Sequence, residues 1–219
     1  APEVDGALDD KSWRQAPVIA GFIQTNGGGL PAVRTKAMAA WTNDALYLGL
    51  RCHELDMNTL TAATTERDGP VWDDDCIKLF IDPNHNHDNW FELVCNADGI
   101  RFDQFKQEGG ESWDAEWTVA CQKFDKYWEV EIMIPFAIFE KSPQIGTVWG
   151  FNIGRDSKAS DQRIEWSCTY GKAYSPNRFG DLIFGGTTAS LSGAAVSGAA
   201  TGMICCSVGI CASADWKRE

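Results

Sequence analysis

No Gly-x-Ser-x-Gly elbow, no His-Glu-x-x-His pair and no glycine-rich phosphate loop occurs in the 219 residues. The usual serine-hydrolase, zinc-peptidase and nucleotide-phosphate readings are therefore without support. Positive charge is scarce. Nineteen Lys and Arg stand against 31 Asp and Glu, a formal net charge of -12, and such a surface repels a phosphate backbone. The eight cysteines match no zinc-knuckle spacing, and no acidic run has EF-hand spacing. Long helical patterns are missing too: no crossover of ten or more helix-periodic residues appears, which argues against a parallel α/β sheet.

What is present is a succession of short strands. In DALYLGLRCHE, Leu46, Leu48, Leu50 and Cys52 alternate with Tyr47, Gly49 and Arg51. CIKLFID puts Ile77, Leu79 and Ile81 on one face, and WFELVCN puts Phe91, Leu93 and Cys95 opposite Glu92, Val94 and Asn96. Ala97–Gly99 reads as a turn, with IRFDQF as the returning strand. YWEVEIMIP is the cleanest case: Trp128, Val130, Ile132 and Ile134 face inward, Tyr127, Glu129 and Glu131 outward, and Pro135 ends the run. WGFNIGRD, RIEWSCTY and FGDLIF complete the series. Many short strands separated by turn signals predict an all-β fold, a jelly-roll-like β-sandwich of antiparallel sheets, over residues 1–184.

The even cysteine count allows disulfides and an oxidising compartment. Cys52, Cys95 and Cys168 also read as buried small hydrophobes. The opening APEVDG has the form of a processed secreted terminus, a form that a trimmed cytoplasmic chain would share, and the expectation is a secreted or cell-surface protein. Residues 185–219 differ in kind. The run 189–214 is uncharged and rich in Gly, Ala and Ser. Readings as a disordered or exchanged arm, as an assembly segment packing on a neighbouring copy, and as a membrane segment all stay open, the last being the weakest.

The segment GPVWDDDCIKLFID, Gly69 to Asp82, is the richest in chemistry. It places an aromatic ring and three carboxylates at the mouth of a strand. Aromatic faces and directional polar groups suit a ligand with apolar C–H faces and a hydroxyl rim. Trp72 and Lys78 are six residues apart, hence on one face if the strand runs unbroken between them.

In order and spacing, VDGALDDKSW (4–13), WTNDALYLGLRC (41–52), VWDDDCIKLFID (71–82), ELVCNADGIRFD (92–103), YWEVEIMIPF (127–136), GTVWGFNIGRD (146–156), IEWS (164–167) and NRFGDLIF (177–184) resemble the family 9 carbohydrate-binding modules. The resemblance implies a β-sandwich that binds oligo- or polysaccharide without catalysis, the sugar lying between two aromatic rings. By motif position those rings fall on Trp72 and Tyr174. The polar set departs from the family: Lys78 stands where a carboxylate is common, and Gly154 and Gly171 where amide side chains contact sugar. Lys78, Glu92, Asn96 and Arg155 are the polar candidates. The resemblance also implies a structural Ca2+ in some members, for which Asp5, Asp9 and Asp73 are the candidate ligands. The competing expectation is a structural subunit of an extracellular assembly or filament, a homo-oligomer built through the tail by strand addition.

Overall fold

The computed structural model describes residues 1–106, 113–172 and 174–186, together with the backbone of 202–207. The expected sandwich is what forms. The strands are β1 (Val18–Ile19), β2 (Ile23–Gln24), β3 (Thr35–Trp41), β4 (Ala45–His53), β5 (Cys76–Asp82), β6 (Trp90–Asn96), β7 (Arg101–Lys106), β8 (Thr118–Lys123), β9 (Tyr127–Pro135), β10 (Val148–Ser157), β11 (Gln162–Glu165), β12 (Gly180–Phe184) and β13 (Gly202–Ser207). Every pairing is antiparallel. One sheet runs β3-β4-β9-β8, with β1 beside β3. The other runs β7-β6-β5-β10-β12, with β11 and β2 beyond the far end of β10. A single five-residue α-helix, α1 (Lys11–Gln15), is described.

The core lies between the sheets and follows the period-two pattern. Leu46, Leu48, Leu50 and Cys52 of β4, Val130 and Ile132 of β9, and Ile77, Leu79 and Ile81 of β5 are all 0–1% exposed. Trp149, Phe136, Phe139 and Phe184 pack edge to face at one end, with centroids 4.8–5.8 Å apart. The expected alternation errs in one respect. Glu129 and Glu131 point away from the core, yet they are 2% and 0% exposed, because the N-terminal segment covers them. Glu131 accepts hydrogen bonds from the backbone of Asp5 and Gly6 and, at 2.5 Å, from the Trp13 indole. Glu129 accepts from Leu8 N–H and from Arg51. The glycine at 49 makes this covering possible: a Cβ there would stand 2.6 Å from Leu8 Cδ2.

Within the segment 185–219, Gly202–Ser207 adds a strand to the chain's own sandwich. It pairs with β12 over Asp181–Phe184 and with β3 at Ala40 and Trp41, so it bridges the two sheets along one edge. Residues 187–201 and 208–219, on which the arm, assembly and membrane readings largely fall, lie outside the described residues. Among the described residues no helix is long and apolar enough to cross a membrane. The five described cysteines, Cys52, Cys76, Cys95, Cys121 and Cys168, all carry free thiols, so the disulfide expectation finds no pair among them. Burial pushes the Cys52, Cys76 and Cys121 thiols up to about 12, as befits small hydrophobes in a core.

Candidate functional site

The outer face of the β7-β6-β5-β10 sheet carries a groove of about 730 Å³. Register assembles its floor. Lys78 of β5 stands opposite Gly154 of β10, and Glu92 of β6 opposite Gln104 of β7. Phe102, Gln104 and Lys106 alternate along β7, so all three face the groove. Asp156 of β10 lies opposite Arg163 of β11 on the same face.

Trp72 reaches the groove from a 3₁₀ turn, Val71–Asp73. The strand does not run unbroken from Trp72 to Lys78, so the parity argument fails, although both residues line the groove. Val71, fully buried beside Cys76 and Val94, pins the turn down and leaves Trp72 turned out. Its ring stands edge-on to Phe102, 5.0 Å between centroids and 83° between planes. At 42% exposure it is the one exposed tryptophan among the described residues. Tyr174 is 56% exposed, 6.1 Å from Trp90, and the Lys106 ammonium stands 4.7 Å above its ring. The loop before it is anchored where Thr169 donates from backbone and hydroxyl to Glu165. Trp72 thus sits against Phe102 and Tyr174 against Lys106, points four residues, or about 13 Å, apart along β7.

The polar residues of the floor hold one another in place. Lys78 donates to Asp156 at 2.9 Å, its side chain only 18% exposed. Burial opposes the charge of Lys78, but Cys76, Asp156 and Glu92 outweigh it and raise its pKa. Gln104 donates to Glu92. Burial pushes the Glu92 carboxyl up, and Gln104, Lys78 and Lys106 offset part of that shift. Lys158 donates to the Trp72 carbonyl at 3.0 Å and stands 3.7 Å from Asp156.

A family model described as Carbohydrate family 9 binding domain-like matches residues 4–187. The chain belongs to this family. Among solved structures it is similar to a family 9 carbohydrate-binding module from Caldicellulosiruptor kristjanssonii in complex with cellotriose. The TM-score is 0.66 and the identity 16%, over 90% of this chain and 96% of that one. A family 9 module from the same organism in complex with glucose gives a TM-score of 0.66 at 17% identity, over 86% and 94%. No curated protein matches the chain.

In this family 9 module four of the six expected ligand residues, Trp72, Tyr174, Lys78 and Glu92, line one groove. Two do not. Asn96 is on the Glu92 face of β6 but is 0% exposed beneath the loop that precedes Trp72. It donates to Asp74 and to the Thr64 carbonyl, and accepts from Asp98 and Ile100 N–H. Arg155 is one residue out of phase with Gly154 and Asp156, so it points to the other side of β10. There it is 0% exposed and paired with Glu54, and it also donates to the Thr35 hydroxyl and to the Arg34 and His53 carbonyls.

The expected calcium ligands do not fit one ion. Asp5 and Asp9 belong to the segment over the β4-β9 face, and Asp5 accepts from Ala7 N–H. Asp73 stands at the groove on the opposite outer face. Among the described residues no group of three or more His, Cys, Asp or Glu is placed to hold a metal. The other two aspartates of the run act as braces: Asp74 accepts from Ala63 and Thr64 N–H, and Asp75 from Thr61 and Lys158 N–H. Sequence reasoning missed Phe102, Gln104, Lys106, Asp156, Lys158, Arg163 and Lys172. For the first three a signal existed. The Ala97–Gly99 turn sets Val94 against Phe102 and Glu92 against Gln104, so whatever Glu92 faces, Gln104 faces too.

Proposed function

We propose that this chain is a non-catalytic saccharide-binding module whose ligand lies in the groove between Trp72 and Tyr174. The carrying observation is that an exposed tryptophan and an exposed tyrosine flank a floor of oriented polar side chains on one sheet face. Flat apolar rings suit the C–H faces of pyranoses, and Lys78, Glu92 and Gln104 offer directional bonds to hydroxyls. The spacing of the two rings along β7 favours an oligosaccharide over a single sugar. The cellotriose bound by a structural relative agrees with that size. The non-catalytic reading is supported by the family match, whose description is a carbohydrate-binding domain. We propose with it a location on the cell surface or outside the cell, where polysaccharides of this class are met.

Trp72 is its own reporter. Titrating the full chain with soluble neutral and acidic oligosaccharides, cellotriose among them, is expected to change tryptophan fluorescence saturably. Trp72→Ala and Tyr174→Ala are each expected to weaken calorimetric binding by about ten- to a hundredfold, the value of burying one aromatic face. Binding unchanged in both variants, or no binding of any sugar, would overturn the reading.

A further inference from the structure

The groove is cationic on an acidic protein. Lys and Arg make up 19 of the 219 residues, yet five of the fourteen groove-lining residues are Lys78, Lys106, Lys158, Arg163 and Lys172. Three carboxylates, Asp73, Glu92 and Asp156, stand among them, so the groove holds two more positive than negative groups (five less three) while the whole chain carries -12. The carboxylates are also largely committed. Asp156 takes Lys78 at 2.9 Å and Lys158 at 3.7 Å, and Glu92 is buried and bonded to Gln104. Arg163 and Lys172 are exposed at the lip, and neither has a carboxylate partner among the described residues. Lys106 lies over the Tyr174 ring, where an ammonium stays available to a ligand stacked beside it. A cleft lined by one sign of charge concentrates the field of its cations and draws in the opposite charge. An uncharged sugar would gain nothing from that field.

We propose that the groove selects a saccharide bearing an anionic substituent, a uronic-acid carboxylate or a sulfate ester, read by Arg163, Lys172 and Lys106 while the aromatic rings hold the sugar faces. This rests on the reading of the groove as a saccharide site. The structure assigns selectivity to the lip cations rather than to Lys78, whose charge is already met by Asp156.

The test is calorimetric titration of the full chain with cellotriose, a uronic-acid trisaccharide and a sulfated trisaccharide, at about 0.05 and about 0.5 M salt. Wild type, Trp72→Ala, Arg163→Gln, Lys172→Gln and the double Gln variant are compared, with circular dichroism as the folding control. Arg163→Lys checks whether charge alone suffices. The expected result is roughly tenfold or tighter binding of at least one acidic sugar over cellotriose. High salt should weaken that preference and the double Gln variant should remove it, with Arg163→Lys close to wild type. The ranking of uronate against sulfate identifies which anion is read. Cellotriose bound as tightly as both acidic sugars would overturn the anionic preference and leave the saccharide site standing. Acidic binding that survives Trp72→Ala would mark ion exchange at the surface and overturn the preference as a property of the groove. No binding by any sugar would overturn both.

Discussion

Arg155 and Glu54 form an ion pair whose side chains are 0% and 1% exposed, and its surroundings explain how a guanidinium survives inside the sandwich. Two backbone carbonyls and the Thr35 hydroxyl accept its other terminal N–H protons, its Nε–H alone being without a partner among the described residues, while Ser157 donates to the other oxygen of Glu54. Removing one member of such a pair leaves the other charged and buried, which costs roughly 3–5 kcal/mol. Arg155→Ala is therefore expected to lower the unfolding free energy by that amount, read by urea unfolding, and to leave sugar affinity unchanged in whatever remains folded. A loss of affinity with unaltered stability would return Arg155 to the site. Its misassignment shows the limit of reading a strand without its phase. GFNIGRD contains both faces of β10, and the resemblance that set Gly154 at a sugar-contacting position turns Arg155 the other way by strand parity. Trp72 was legible for a different reason: the resemblance places an aromatic ring at its motif position, just before the acidic strand.

At the level of elements, the strands with β-branched and aromatic alternation were readable, and the alanine-rich one was not. TKAMAAW forms β3, but alanine has little strand preference, and pairing makes it a strand: with β4 along its whole length, and with β1 and β13 on its other edge. The N-terminal strap was equally hidden. Its anchor is Glu131, a residue that alternation assigns to solvent. Glu131→Ala would leave two backbone N–H groups and the Trp13 indole without their acceptor, at about 1–3 kcal/mol for each group left unsatisfied. Hydrogen exchange and proteolysis are expected to open at residues 1–16 in this variant, while groove binding persists on the opposite face. Protection equal to wild type would mean that Leu8 and Trp13 packing alone holds the strap.

For the whole molecule, buried carboxyls set the response to pH. Burial raises the pKa of Glu92, Glu131, Glu165, Asp75 and Asp103 above their ordinary values. A group of this kind favours the folded state below its unfolded pKa and loses that contribution as pH rises through its folded pKa. Asp74 is the reverse. Burial raises it, but bonds from Asn96, Ala63 and Thr64 outweigh burial and lower its pKa, so its contribution is present above 3.8 and is lost as pH falls through the folded value. The thermal midpoint is expected to rise as pH falls from neutrality toward the ordinary carboxylate range and to fall again once pH drops below 3.8. Scanning calorimetry at low protein concentration checks this, and a midpoint that falls steadily from neutrality to the carboxylate range would contradict it. The same scale carries β13, which closes the edge between β3 and β12 from within the uncharged segment. Composition hid this strand, because a Gly- and Ala-rich run shows no period-two signal.

The most direct test of the account is a glycan array spanning plant, microbial and animal saccharides, probed with the full chain beside Trp72→Ala. The account predicts a restricted set of bound glycans, acidic ones foremost, with signal lost in the variant. Silence across the array with the fold intact, or binding indifferent to Trp72, would contradict it.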